Sequence, residues 1–126
     1  MGINLREVKR IAIVGATTNP EKFGNIVLKD LKKKGFDVLP VSPKYDVIEG
    51  IKTYKSVDEL PDDVDLIVFI VPPEVGLEEL KKAYNRGFRK FWFQPGAESE
   101  EIVEFSKTLS DADFSFIKCI MVQTNW

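Results

Sequence analysis

Apolar residues run unbroken from Ile11 to Val14 and again through most of Asp65 to Val71. Runs without polar alternation suit strands buried on both faces, as a parallel sheet requires. Gly15 ends the first run, and Ala16, Thr17, Thr18, Asn19 and Pro20 follow before a helical pattern opens near Glu21 to Gly24. Phe23, Ile26, Val27 and Leu31 recur at helical spacing as the predicted inner face. Lys32, Lys33 and Lys34 then lead to Gly35, cations and a glycine that mark a helix C-terminus. Asp37 to Val41 reads as a second strand. Val47 to Thr53 reads as a short extended piece, and Val57 to Leu60 as one helical turn. Pro72 and Pro73 stop the second apolar run and open a helix, since proline suits a first helical position and not a strand. That helix is predicted to turn Val75, Leu77, Leu80 and Tyr84 inward, to pair Glu78 with Lys82 outside, and to stop at Arg86-Gly87. Lys90 to Phe93 is a strand in which Phe91, Trp92 and Phe93 must point to alternate faces, as core rather than a stacking platform. Ser99 is a natural N-cap for a helix carrying Ile102, Val103, Phe105 and Leu109. Asp113 to Ile117 and Cys119 to Val122 are read as a last edge strand. Ile3, Leu5 and Val8 make residues 1 to 9 a lead-in segment.

Strands that alternate with helices predict a single α/β domain, a doubly wound, mostly parallel sheet with helices on both faces. In such sheets ligands bind beyond the carboxyl ends of the strands, where strand order reverses. The loops at those ends are Gly15 to Pro20, Ser42 to Lys44, Pro72 to Pro73 and Gln94 to Glu98. All four are rich in glycine, proline or small polar residues. A loop such as Gly15 to Pro20 at a helix N-terminus offers backbone N–H donors to a phosphate. The dinucleotide pattern G-x-G-x-x-G is absent, however, because Gly24 is the next glycine after Gly15. Gly15 therefore reads either as a phosphate loop or as the pivot of a tight turn. Lys44 follows the second strand where an NAD site usually presents an acid to the ribose hydroxyl. A cation there fits a phosphate on the ribose, and as a surface lysine it would do nothing.

Composition narrows the chemistry. With no histidine, Ser-His-Asp and Cys-His catalysis and histidine-held metal sites are excluded within the chain. A single cysteine, Cys119, excludes an intrachain disulfide and any Cys-x-x-Cys site. A net charge of -2 gives no nucleic-acid footprint. No run of roughly 18 apolar residues occurs, and MGINLREVKR lacks the apolar core of a signal peptide, which points to the cytoplasm and away from a membrane.

Taken together, V-G-A-T-x-N-P, V-S-P-K, V-P-P and F-Q-P-G resemble the small stand-alone coenzyme A-binding proteins. These are single Rossmann-like domains similar to the nucleotide domain of the succinyl-CoA synthetase α subunit, and the resemblance runs from about Val8 to Val122. It implies that Gly15, Ala16, Thr17, Asn19 and Pro20 lie under the pyrophosphate, with Gly24 in the same cofactor-binding set. It implies that Ser42, Pro43 and Lys44 hold the adenosine 3′-phosphate side. Val71 and Pro72 would wall the adenine or its linkage, Gln94 and Gly96 would lie along the pantetheine path, and Cys119 would meet the coenzyme thiol. As a lone cysteine in an apolar stretch, Cys119 reads equally as a small buried hydrophobe. Without a phosphoryl-accepting histidine the ligase reaction does not carry over. The expected function is binding of coenzyme A or an acyl-CoA by a carrier, sensor or regulatory module without catalytic or metal-binding residues of its own. An NADP-binding redox or sensor domain, and an interaction module without a ligand, are the alternatives. The exposed last strand allows a homodimer or a partner protein.

Overall fold

The two apolar runs lie side by side. In the computed structural model, which describes residues 2–126, β1 (Arg10–Val14) and β5 (Leu66–Phe69) pair in parallel, Ile11 opposite Leu66 and Val14 opposite Phe69. On the far side of β1 lies β2 (Asp37–Val41), and beyond β5 lie β6 (Lys90–Phe93) and β7 (Asp113–Ser115). The order β2-β1-β5-β6-β7, parallel throughout, reverses direction between β1 and β5. Chains leaving those two strands must go to opposite faces, which opens a crevice at their carboxyl ends. This is the predicted α/β architecture.

One face of the sheet carries Ile11, Ile13, Val38, Leu66, Val68 and Trp92 and is covered by α1 (Phe23–Lys33) and the C-terminal turn of helix α4 (Ile120–Gln123). The other carries Val14, Val41, Phe69, Phe91 and Phe93 and is covered by α2 (Pro73–Arg86) and α3 (Glu100–Ser106). The rings of Phe69 and Phe93 stack across the strands at 4.3 Å between centroids, a pairing that contributes about 0.5–1.5 kcal/mol beyond its burial. Phe91 and Phe93 thus face away from Trp92, as alternation demands. Between β2 and β5 the chain forms a hairpin of β3 (Val47–Ile48) and β4 (Ile51–Lys52), and one helical turn at Val57–Glu59. Among the described residues no helix is long and apolar enough to cross a membrane.

Four expectations fail. The inner stripe of α1 is Gly24, Val27, Leu28 and Leu31, one position out of phase at its start, so Phe23 is 61% exposed. In α2 the same happens: Gly76, Glu79, Leu80 and Ala83 face inward and Val75 is exposed. In α1 the glycine is inward because the Gly15 carbonyl lies against it and leaves no room for a side chain, whereas Gly76 packs on the side chains of Phe93, Val71 and Ile102. Glu79 is buried because its carboxylate accepts from the Val57 amide at 3.0 Å and the Ser56 hydroxyl at 3.1 Å, so Lys82 pairs with Glu79 instead of Glu78. Cys119 to Val122 does not extend β7. Trp92 Nε1 donates to the Lys118 carbonyl at 2.9 Å and the Ile120 amide donates to Gln94 Oε1 at 2.7 Å, turning the chain into α4. An apolar run this short suits either a strand or a helix until its neighbours decide.

Candidate functional site

Gly15 ends β1 with φ +101°. Its amide donates to the Val41 carbonyl at 3.1 Å, and the Ile70 amide donates to the Val14 carbonyl at 2.8 Å, so pairing with both neighbours persists to the edge. A side chain at Gly15 would overlap the Ile70 carbonyl and touch Val71, and one at Gly24 would overlap the Gly15 carbonyl. The two glycines therefore meet two of the steric needs that a glycine-rich fingerprint meets, without its spacing. One allows the turn, and the other lets α1 approach it.

Beyond Gly15 the loop is tied by side chains. Thr17 Oγ1 lies 3.1 Å from the Tyr45 hydroxyl and accepts from the Asn19 amide at 3.2 Å, while the Asn19 carboxamide oxygen accepts from the Glu21 amide at 3.0 Å. The Thr17 carbonyl accepts from Asn25 Nδ2 at 2.9 Å. The amides of Thr17, Phe23 and Gly24 find no protein acceptor among the described residues, and that of Thr18 faces only the Tyr45 phenol oxygen, loosely. Free donors thus cluster at the N-terminus of α1, with Ala16 buried beneath them and Asn19 and Pro20 exposed. The Tyr45 bond joins this loop to the one after β2. There buried Ser42 accepts from the Lys44 amide at 3.3 Å, and Pro43 and Lys44 are exposed. Neither Lys44 nor Lys22, at the start of α1, has a carboxylate within bridging distance among the described residues. The hydroxyl of Thr17, then that of Thr18, holds the Tyr45 phenol below its ordinary pKa, with the Lys44 charge adding to the effect.

Across the switch point the chemistry changes. Ile70, Val71, Pro72, Pro95 and Ala97 line a cleft of about 300 Å³ floored by Gln94. Gln94 is 5% exposed, and both ends of its amide are engaged: Nε2 lies 3.4 Å from Cys119 Sγ and Oε1 accepts from Ile120. Gly96, at φ +94°, donates its amide to Glu98 Oε1 at 2.9 Å. The predicted residues thus fall into two groups. Gly15 to Pro20, Gly24 and Ser42 to Lys44 share one cluster, and Val71, Pro72, Gln94, Gly96 and Cys119 share the other. Sequence reading missed Tyr45, Asn25 and Glu49. A buried asparagine within the apolar stripe of α1 was the available signal, while nothing local marked Glu49.

The family model described as a CoA binding domain matches residues 9–125. Among curated proteins, the ADP-forming acetate–CoA ligase of Methanocaldococcus jannaschii is 41% identical over 81 residues, which are 64% of this chain and 12% of the ligase. The α subunit of such a ligase from Pyrococcus furiosus is 38% identical over 80 residues, 63% of this chain and 18% of that subunit. The chain therefore spans under a fifth of the length of these curated relatives. Among solved structures, a conserved hypothetical protein from Pyrococcus furiosus is 61% identical with a TM-score of 0.89, covering 91% of this chain and 98% of that one.

Proposed function

The chain belongs to the coenzyme A-binding domain family, and from that premise we propose that it binds coenzyme A or an acyl-CoA along the carboxyl edge of its sheet. Gly15, Ala16, Thr17, Asn19 and Pro20, backed by Gly24, cradle the pyrophosphate with free amides at a helix N-terminus, where donors and dipole favour an anion. Ser42, Pro43 and Lys44 take the adenosine 3′-phosphate. Val71 and Pro72 form the apolar wall against the adenine or its linkage, Gln94 and Gly96 border the pantetheine arm, and Cys119 lies at the thiol end. Because β2, β1, β5 and β6 are adjacent, three inter-strand steps, roughly 14 Å, separate the two ends of this track.

The observation that carries the reading is Lys44. A lysine without a carboxylate partner among the described residues stands at the end of β2, where NAD would need an acceptor, and the neighbouring Tyr45 ties it to the Gly15 loop. Without catalytic residues assigned to it, the domain acts as a carrier, sensor or regulatory module, alone, as a homodimer or with a partner protein. Thermal unfolding with coenzyme A, dephospho-coenzyme A, NAD and NADP in parallel tests this. A ligand at a hundredfold its Kd stabilises the native state by about 2.7 kcal/mol. Coenzyme A is expected to raise the Tm, the dephospho form to do so less, and NAD and NADP not at all. A response to NADP alone overturns the proposal in favour of a redox domain, and no response to any ligand leaves an interaction module.

A further inference from the structure

Asn25 is fully buried in the first turn of α1, and its amide group is used unevenly. Nδ2 donates to the Thr17 carbonyl and to Glu49 Oε2, both at 2.9 Å, while Oδ1 is buried with no partner among the described residues. A residue chosen for stability alone would not leave an acceptor orphaned in a sealed position. Glu49 is unusual as well. Among the described residues it is the non-glycine with a left-handed backbone, φ +51°, at the β3–β4 turn where Asn, Asp or Gly is usual. Two locally unfavourable choices meet at one hydrogen bond, a pattern that selection for function explains better than selection for stability.

We propose that Asn25 is a positioning residue that aims the Thr18 amide at the diphosphate of the ligand, and that Glu49 sets the orientation of Asn25; this rests on the coenzyme A reading above. In a planar trans peptide the carbonyl of one residue and the amide of the next point in opposite directions. Asn25 draws the Thr17 carbonyl inward toward α1. The Thr18 N–H is thereby turned away from the helix; among the described residues it donates to no backbone acceptor, and the polar group it faces is the Tyr45 phenol oxygen, too loosely placed for a full hydrogen bond. The carboxylate of Glu49 only accepts, so it requires the NH2 side of Asn25 to face it. With the amide flipped, Oδ1 would confront the carboxylate and the Thr17 carbonyl would lose its donor. The hairpin therefore reaches the phosphate loop through a single buried amide.

The test uses the whole chain, 15N-labelled, titrated with coenzyme A and with inorganic pyrophosphate, as wild type, Asn25→Ala and Glu49→Gln. In the wild type both ligands are expected to shift the Thr18 amide resonance. Asn25→Ala is expected to weaken coenzyme A about tenfold and Glu49→Gln about threefold, on the scale of a lost hydrogen bond, with the Thr18 shift reduced in both. The preference for coenzyme A over dephospho-coenzyme A, set at Lys44, is expected to stay the same. Should Asn25→Ala not fold, Glu49→Gln at its exposed position decides alone. Variants that melt at lower temperature yet bind coenzyme A as tightly as wild type, with the Thr18 shift intact, overturn the inference and leave a structural role. A wild type that ignores coenzyme A but whose Thr18 amide moves with pyrophosphate removes the coenzyme reading and keeps the donor. One that ignores both overturns both.

Discussion

The two ends of the sheet treat their polar groups in opposite ways. At the amino end the Asp65 carboxylate accepts from the amides of Lys9 and Arg10 at 2.9 Å, and the Arg10 side chain reaches Asp37 at 2.7 Å and Asp63 at 2.8 Å. Arg86, at the end of α2, donates to the carbonyls of Val57 at 3.0 Å and Leu60 at 2.8 Å and pairs with Asp62. At the carboxyl end, amides at the start of α1 have no acceptor among the described residues, and Lys22 and Lys44 have no carboxylate partner there. Exposed ion pairs contribute little stability each, about 0–1 kcal/mol, so the contrast is less about strength than about availability. One end is closed with its own groups. The other is left with donors to give.

The sharpest way to break that contrast is to place the same substitution at both ends. Gly15 and Gly35 have nearly the same backbone, φ +101° and +100°, but a side chain at Gly15 would meet the Ile70 carbonyl, whereas nothing lies within 4 Å at Gly35. Gly15→Ala is expected to cost about 3 kcal/mol or more and to abolish the ligand response, and Gly35→Ala only about 1 kcal/mol, in denaturant unfolding. Equal losses would mean that backbone conformation, not the crowded switch point, constrains Gly15.

Lys44→Ala should lower coenzyme A affinity about tenfold or more, the scale of a charge-assisted hydrogen bond, without changing dephospho-coenzyme A binding or the melting temperature. A parallel loss for both ligands would move Lys44 off the 3′-phosphate. At the opposite end Asp65→Ala removes the acceptor of two amides and is expected to cost about 1–2 kcal/mol of stability while leaving ligand affinity unchanged. Altered affinity in that variant would couple the two ends.

The smallest effect concerns acid. The Tyr84 hydroxyl, donating at 2.6 Å, holds the Asp111 carboxylate below its ordinary pKa, and Arg89 adds to this. A carboxylate with a depressed pKa in the folded state contributes stability above its unfolded pKa and loses it as pH falls through the folded one. Melting temperature should therefore fall less steeply below about pH 4 in Asp111→Asn than in the wild type. Identical acid limbs would show that this exposed group contributes nothing.

The strands were legible because their signal is one of composition. Ile11 to Val14 and the run through Leu66 to Phe69 are apolar on both faces, and only a central parallel strand needs that. The loops at their ends were equally readable, since Gly15, the Pro72-Pro73 pair and Gly96 break the periodicity wherever they fall. Helix phase was less so. Phe23 and Val75 are the larger hydrophobes, yet Gly24 and Gly76 face inward; at Gly24 the approach of the Gly15 backbone excludes a side chain, and no local pattern encodes that distance.

The site divides in the same way. Lys44 could be proposed from its place after a strand, because its chemistry is its own charge. Asn25 and Tyr45 contact the loop at Thr17, Glu49 reaches it through Asn25, and the three come from a helix, a loop and a hairpin that meet after folding. Cys119 and Ile120 were read as strand, yet the buried amide of Gln94 draws them into α4 from 26 positions away. Chemical type and burial period are carried residue by residue along the chain. Which residues share a hydrogen bond depends on the order of the strands and on how closely each helix approaches them.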